Sequence, residues 1–375
     1  MPSSILFVHQ GYELYGSDRT LIQSVRAAAC RWPEARITVL LPSDGPLRTA
    51  LLSIVNDVRV EDLAVLRKSN LRKMKLRDIG GFIRKIGRAR RMMCGYGLTY
   101  INTALVMDYI LAACAVSRPR IIHVHEMPTG VAALFFSALL IPSRAFLIFN
   151  SLATRRSYGV PFWQRSAVVW NGVAAPLGRQ LGSAHTQLNL LLIGRFNSWK
   201  GQQVLLRAAA RLPPDRRARV CIRLVGGVFG DQAHFAEKLV HTIEELGIGE
   251  IVEMCPFTPE PSTHYAWADV VVVPSIKPEP FGLVALEGMA AGCAIIAANH
   301  GGLSEIVVDG ETGTLVEPGS IESLAAAIER YLDDSSLASV EGNAGRKRFA
   351  AEFEESRYES KIVNIIAELT ETNKA

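Results

Sequence analysis

Short apolar, β-branched runs recur along this chain with helix-patterned stretches between them: SILFVH at 4–9, ARITVLL from Ala35, LTYINT from Leu98, RIIHVH from Arg120, AFLIF from Ala145 and AVVWNGV from Ala167. Alternation of this kind builds βαβ units, and βαβ units build a parallel sheet with helices on its faces. A second series begins with NLLLIGR from Asn189 and continues through RVCIRLVGG from Arg219, IVEMCPF from Ile251, VVVVPS from Val270 and AIIAAN from Ala294. Between the two series lies NGVAAPLGRQLGSAHTQ, 171–187, rich in Gly, Ala and small polar residues and without periodicity, which reads as an inter-domain linker. The expected fold class is α/β, with two doubly wound, Rossmann-like domains at 1–175 and 186–350 facing a central cleft, ligands binding at the carboxyl ends of the strands. The remaining segment, 351–375, contains YESKIVNIIAEL from Tyr358, with apolar residues at helical spacing.

Composition agrees with two sizeable cores. The chain has 375 residues, 49% hydrophobic and 21% charged, which excludes a disordered or fibrous protein. The longest apolar candidate, VAALFFSALLI from Val131, is well short of the roughly 18 residues that a membrane-spanning helix needs. MPSSILFVHQ has neither a basic segment before its apolar stretch nor a small-residue cleavage site, so a cytosolic location is expected. Six scattered cysteines without a C-x-x-C pair suit buried, reduced thiols better than disulfides or zinc.

The net charge of +5 is unevenly spread: residues 67–91 hold eleven Lys and Arg against Asp78, a local +10, so the rest of the chain carries −5. Leu71, Met74, Ile79, Phe82, Ile83 and Ile86 are interleaved at spacings partly compatible with one helical face. An amphipathic helix lying on an anionic surface is one reading, at about 1 kcal/mol per basic residue. A solvated basic helix is the other. Aromatic interleaving is too thin, with Phe82 and Tyr96 only, for a nucleic-acid surface.

Candidate site chemistry gathers where apolar runs end. The first run stops at His9, and QGYELYGSDR follows, so Gly16 and Ser17 stand where backbone N–H groups at a helix start could meet an anion. The plain alternative is a loop with Ser17 or Asp18 as N-cap. After NLLLIGR, the stretch IGRFNSWKG offers Arg195 and Lys200 before Gly201. An Arg fork and a Lys point charge together suit a diphosphate; without a ligand they would be ordinary solvated charges. In KPEPFGLVALEGMAAG, 277–292, Glu279 lies in a proline-bracketed loop, and Phe281, Gly282 and Leu283 open a helix with N–H groups that lack intrahelical partners. Such donors suit phosphate. Glu287 follows on the helix, and two carboxylates flanking a phosphate-binding helix start suit a ligand with hydroxyls at each end, the layout of a nucleoside diphosphate sugar. Gly288, Ala290, Ala291 and Gly292 suit close packing of that helix on a sheet. The structural alternative makes Glu279 a loop cap and Glu287 an exposed helix residue.

Taken in order over about 189–345, GRFNSWKG, PSIKPEPFGLVALEGMAAGCAII and HGGLSEIVVDGETGTLVEP resemble the retaining glycosyltransferases of family 4, the glycosyl transferases group 1, which have the GT-B fold. Glu279 and Glu287 match that family's pair of signature acids. In the first half the likeness is looser: YGSDRTL is similar to the family's Gly-Gly-Ser-Glu loop, and HVHE to its His-x-His at a strand end. Tyr15 departs from the first glycine of that loop, and Pro256 from a glycine usual near the nucleobase.

The resemblance implies that Arg195 and Lys200 hold the diphosphate, Glu279 contacts sugar hydroxyls, the backbone N–H groups of Phe281, Gly282 and Leu283 meet phosphate or sugar, and Glu287 binds the ribose. It places His125 over the donor sugar and has Gly16 close over the diphosphate on the acceptor side. His123 and His125 are read as facing opposite sides of one strand, so that only His125 serves the cleft. A final helix is expected to cross back onto the first domain. With no Asp-x-Asp motif in the sequence, neither a metal nor another cofactor is expected, and Arg195, Lys200 and the helix dipole stabilise the leaving diphosphate. In the resembling enzymes the acceptor attacks on the face the diphosphate leaves, a phosphate oxygen takes its proton, and configuration is retained.

The expected function is a cytoplasmic glycosyltransferase, peripherally bound to the inner membrane through 67–91. It moves a sugar from a UDP- or GDP-sugar to a hydroxyl of a lipid-linked intermediate of bacterial polysaccharide, lipopolysaccharide or exopolysaccharide. Its partners are then the nucleotide-sugar donor, the lipid-linked or glycan acceptor and the membrane leaflet, with no nucleic acid. Two alternatives stay open, a GT-B sugar-nucleotide epimerase and a catalytically silent glycan-binding subunit; the intact charged set speaks against the second and the basic segment against the first.

Overall fold

The structure, a computed structural model, describes residues 2–66, 79–174, 187–227 and 234–371. It divides into two compact units, Met1–Gly172 with Glu355–Ala375, and Val173–Glu354. In the first unit, β1 (Ser4–Val8), β2 (Arg36–Leu41), β3 (Asp57–Val60), β4 (Leu98–Ile101), β5 (Arg120–Val124), β6 (Phe146–Phe149) and β7 (Ser166–Val168) form one sheet in the order β3-β2-β1-β4-β5-β6-β7. Every pairing is parallel, with Ile5 opposite Ile37 on one side and Leu98 on the other. The chain runs outward from β1 to β3, then returns to start again at β4. That reversal puts a topological switch point between β1 and β4, where the loops leaving the two strands diverge and open a crevice.

Central strands covered on both faces must be apolar throughout, which is why β1 and β4 read as unbroken runs and not as alternating patterns. Helices close a separate core on each face. One core joins Ile5, Phe7, Leu21, Val25 and Tyr100 to Tyr358, Ile362, Ile366 and Leu369 of the final helix, Glu355–Glu371. The other joins Leu6, Val8, Ile101 and Ile122 to Met93, Ile110, Phe136 and Tyr158. The last helix thus completes the first unit although the whole second unit precedes it in sequence. Each aliphatic side chain it buries there contributes about 1.5–3 kcal/mol.

The second unit repeats the plan with β8 (Leu188–Ile193), β9 (Val220–Val225), β10 (Val252–Cys255), β11 (Val270–Val273), β12 (Ala294–Ala298) and β13 (Gly313–Val316) in the order β10-β9-β8-β11-β12-β13. Its switch point lies between β8 and β11. The helix Leu283–Ala291 follows β11 and lies directly on the sheet: a Cβ at Gly288 would come within 2.8 Å of Val271 Cγ2.

Several expectations need correction. β3 (DVRV) and β13 (GTLV) are not among the apolar runs read from sequence, because both are four-residue edge strands carrying charge or glycine in place of a continuous apolar signal. The cysteines are not generally buried: Cys30, Cys94 and Cys114 are exposed and Cys293 alone is buried, although all six are free. VAALFFSALL forms the helix Val131–Leu140, which buries Phe136 and Leu140 and leaves Val131 and Leu134 exposed. Among the described residues no helix is long and apolar enough to cross a membrane. Of the basic segment, 67–78, with Leu71 and Met74, lies outside the described residues, as does 175–186 of the linker. The helix Ile79–Cys94 buries Ala89 and Met93, packs Ile86 on the core and exposes Ile79 and Ile83.

Candidate active site

In the second unit the loops leaving β8 and β11 meet at the switch point. Asn197 Oδ1 accepts hydrogen bonds from the backbone N–H groups of Trp199 and Lys200, both at 3.0 Å, folding the chain into a tight turn before Gly201. Gly201 has φ +81°, and a Cβ there would lie 2.0 Å from the carbonyl oxygen of Pro274. Only glycine lets the two loops approach this closely. The Ile276 N–H then donates to the Trp199 carbonyl at 2.7 Å, pinning one loop to the other.

This turn brings the predicted cation and acid together. Lys200 Nζ donates to Glu279 Oε1 at 2.8 Å, and the Ser275 hydroxyl donates to the same oxygen. Side-chain exposure is 16% for Lys200 and 9% for Glu279, so the pair is largely withdrawn from water. The ammonium also lies 4.7 Å from the centroid of the Trp199 ring. Arg195 is exposed at the start of the same loop, its carbonyl accepting from Gln202 Nε2 at 2.9 Å. Gly282, with φ +122°, turns the chain into the helix that Leu283 begins, and Phe281 before it is buried. Four residues into that helix, Glu287 is buried and accepts a hydrogen bond from the Tyr265 hydroxyl at 2.6 Å. The exposed-helix alternative for Glu287 is therefore removed.

The first unit carries a second polar constellation, at the ends of β1, β4 and β5. His9 Nε2 lies 2.7 Å from Asp18 Oδ1. Asn102, at the end of β4, gives Nδ2 to the Ser17 carbonyl at 3.1 Å, and its Oδ1 lies 2.9 Å from His125 Nε2. Glu126 gathers the Thr103 hydroxyl at 2.6 Å, the Ala104 N–H at 3.0 Å and Gln10 Nε2 at 3.2 Å. Gly16 begins the helix Gly16–Arg31, whose N-cap is Tyr15 and not Ser17 or Asp18; Asp18 reaches back to the Tyr15 N–H at 2.9 Å.

His123 and His125 do not face opposite sides. Residues two apart on an extended chain share a side, and the two rings lie 4.1 Å apart. What separates them is depth: His123 is fully buried, with Nδ1 2.7 Å from the Tyr100 hydroxyl and Nε2 unpartnered, whereas His125 stands past the last residue of β5 and is partly exposed. Burial pulls His123 down to about 3. Burial, reinforced by the neighbouring His123 and His9 rings, holds His125 well below the usual imidazole range. Both are neutral near pH 7.

Sequence reading therefore names the charged residues of the second unit and His125, but misses the groups that hold them: Ser275, Asn197 and Tyr265 in one unit, His9, Asp18, Asn102 and Glu126 in the other. A signal existed for part of this. His9, Asn102 and the HVHE stretch each put polar residues just where an apolar run stops, and three such ends on neighbouring strands of one sheet must lie side by side.

Residues 177–348 match the family described as Glycosyl transferases group 1. The D-inositol 3-phosphate glycosyltransferase of Thermobispora bispora is 37% identical over 199 residues, 52% of this chain and 46% of that protein. The Corynebacterium aurimucosum protein of the same name is 42% identical over 165 residues, 42% of this chain and 37% of its own length. The chain thus matches less than half the length of these curated relatives. Among solved structures, Anabaena HepE in complex with UDP superposes with a TM-score of 0.81 at 23% identity, covering 97% of this chain and 100% of that one. Sucrose-phosphate synthase of Thermosynechococcus elongatus does so at 0.76 and 20% identity, covering 99% and 100%. The fold is accordingly GT-B, with two Rossmann-like units built on parallel sheets.

Proposed function

We propose that this chain is a glycosyltransferase that takes a sugar from a nucleoside diphosphate sugar and places it on an acceptor hydroxyl with retention of configuration. The observation that carries the reading is the Lys200–Glu279 pair at the β8/β11 switch point, beside the start of the helix Leu283–Ala291. A lysine withdrawn from water beside free helix N–H groups is a preorganised site for a diphosphate whose charge grows as the sugar leaves. Arg195 adds a second cation. Glu279 would repel phosphate, so its task is to orient Lys200 and accept hydrogen bonds from sugar hydroxyls, while Glu287, fixed by Tyr265, accepts from the ribose. Backbone N–H groups of Phe281, Gly282 and Leu283 complete the donor site, Gly16 belongs to the acceptor side, and His125 is assigned a sugar hydroxyl.

The family match over 177–348 supports the donor half of this reading, and HepE, solved with UDP and with UDP-glucose, makes a UDP-sugar the first donor to try. A lipid-linked acceptor is supported by surface character in the first unit: Phe162 is 97% exposed and Trp163 60% exposed, and the helix Ile79–Cys94 carries Arg84, Lys85, Arg88, Arg90 and Arg91. Aromatic side chains and basic residues together suit an anionic membrane leaflet. The test of the donor site is thermal stability with UDP-, GDP-, ADP-, CMP- and dTDP-sugars, with and without chelator. A ligand at 100 times its dissociation constant adds about 2.7 kcal/mol. A chelator-insensitive rise with one nucleotide supports the reading; no rise with any nucleotide overturns it. Sedimentation with vesicles containing anionic lipid tests the membrane part separately.

A further inference from the structure

We infer that Asn102 is a positioning residue that holds His125 in the tautomer protonated at Nε2, so that the ring presents a bare Nδ1 to a hydroxyl of the substrate. The inference rests on the assignment of His125 to substrate given above, and it names the chemistry that His125 recognises: a hydrogen-bond donor, not a phosphate oxygen.

The argument starts from the amide, because its direction fixes everything else. Asn102 is fully buried. Its Nδ2 lies 3.1 Å from the carbonyl oxygen of Ser17, which can only accept, so that position must hold the NH2 group and not the amide oxygen. The oxygen is then the atom 2.9 Å from His125 Nε2. An amide oxygen also only accepts, so Nε2 must carry the hydrogen. A neutral imidazole has one N–H, which leaves Nδ1 as a lone pair. Nδ1 has no hydrogen-bond partner among the described residues and, unlike the sealed Nε2 of His123, is not shut off from solvent.

The orientation is independent of the charge on His9. Neutral His9 accepts at Nδ1 from Asn102 Nδ2 at 3.2 Å; protonated His9 donates from the same atom to the backbone carbonyl oxygen of Asn102 at 3.1 Å. In both cases Nε2 serves Asp18, and Ser17 still holds the amide. The remaining titratable groups around the ring are His123, whose ring is tilted against it with centroids 4.1 Å apart, and Glu126, whose Oε2 accepts from the His125 backbone N–H at 3.2 Å. Neither is bonded to a nitrogen of the His125 ring, so Asn102 alone selects the tautomer.

Long-range 1H–15N correlation spectra of the full chain without ligand report which ring nitrogen is protonated, with His125 assigned by its loss in His125→Gln. The expected result is a protonated Nε2 and a bare Nδ1 from about pH 6 to about pH 8, the range in which an ordinary histidine would titrate. Asn102→Ala should release the ring into averaged tautomers. Asn102→Asp, kept as the second variant in case the alanine does not fold, places a carboxylate beside Nε2 and should make His125 titrate within that range. A wild-type Nδ1 that carries the hydrogen, or variants whose His125 signals match wild type, would overturn the inference. With a donor found, Asn102→Ala should lower kcat about tenfold, the order of one lost hydrogen bond, while KM for the nucleotide stays put. Failure of every nucleotide sugar to bind would sink the proposed function but leave the tautomer result standing.

Discussion

Tyr265 donates its phenolic hydrogen to Glu287 Oε2 at 2.6 Å, and both residues are buried. The carboxylate therefore keeps a fixed orientation inside the fold on the helix that follows β11. Tyr265→Phe removes one charge-assisted hydrogen bond and leaves the acid short of a donor, a loss of about 1.5–3 kcal/mol. With Glu287 on the ribose, KM for the donor should rise about tenfold while kcat changes less. An unchanged KM in a folded Tyr265→Phe protein would detach Glu287 from nucleotide binding.

Glu279→Ala strips Lys200 of its partner in a site largely closed to water. Loss of one member of such a pair costs about 3 kcal/mol, at the lower end for buried pairs because Lys200 keeps some exposure. Transfer should be abolished while circular dichroism shows the fold retained, and full activity in that variant would remove the site assignment. Glu279→Gln separates charge from shape: it keeps an oxygen for the Ser275 hydroxyl but no longer neutralises Lys200.

Gly282→Ala should destabilise the second unit by about 1–3 kcal/mol. The backbone φ of +122° disfavours any side chain, and the added Cβ would sit 2.5 Å from Leu303 Cδ2. The melting temperature in the absence of ligand measures this directly, and loss of nucleotide binding should accompany it because the helix start moves.

His123 makes the first unit sensitive to acid. Its folded value is about 3 against an ordinary 6.5, so between those pH values the unfolded chain binds a proton that the folded chain refuses. The stabilisation is complete above about pH 6.5 and is lost as pH falls toward 3, at no more than about 1.4 kcal/mol per pH unit for this one group. Urea titrations at about pH 7 and about pH 5 should show a smaller loss for His123→Phe than for wild type. Equal losses would assign the acid sensitivity elsewhere.

Ile362→Ala probes the final helix. The side chain is fully buried against the first-unit core, and its truncation should cost about 2–5 kcal/mol. Nucleotide binding, which the proposed function assigns to the second unit, should survive. Concerted loss of binding and of first-unit stability would contradict this division of labour.

How much of this was legible in advance follows from what each element is made of. β1, β4, β11 and β12 are buried on both faces, so their apolar runs announced them; β3 and β13 are four-residue edges, one interrupted by Asp57 and Arg59 and the other opening on Gly313, and announced nothing. Lys200 and Glu279 were readable one at a time as charges in loops after apolar runs. Their pairing, 79 positions apart in sequence, was not. The histidines show the opposite failure, since the two-residue spacing that should have placed them on one side was read as alternation.

The sequence by itself determined the local periods of the buried strands and of the helices, and that two such series follow one another. Those are properties of neighbouring residues and need no distant partner. Only the tertiary structure decided that β1 pairs with β4 and β8 with β11, and hence where each switch point opens. It also decided that Asn102 turns its oxygen to His125, because a buried amide takes the direction its acceptors dictate, and one of them, Ser17, lies 85 residues away along the chain. Side-chain orientation of this kind comes from closing hydrogen bonds in a space that water cannot enter, and that space does not exist until the strands have come together.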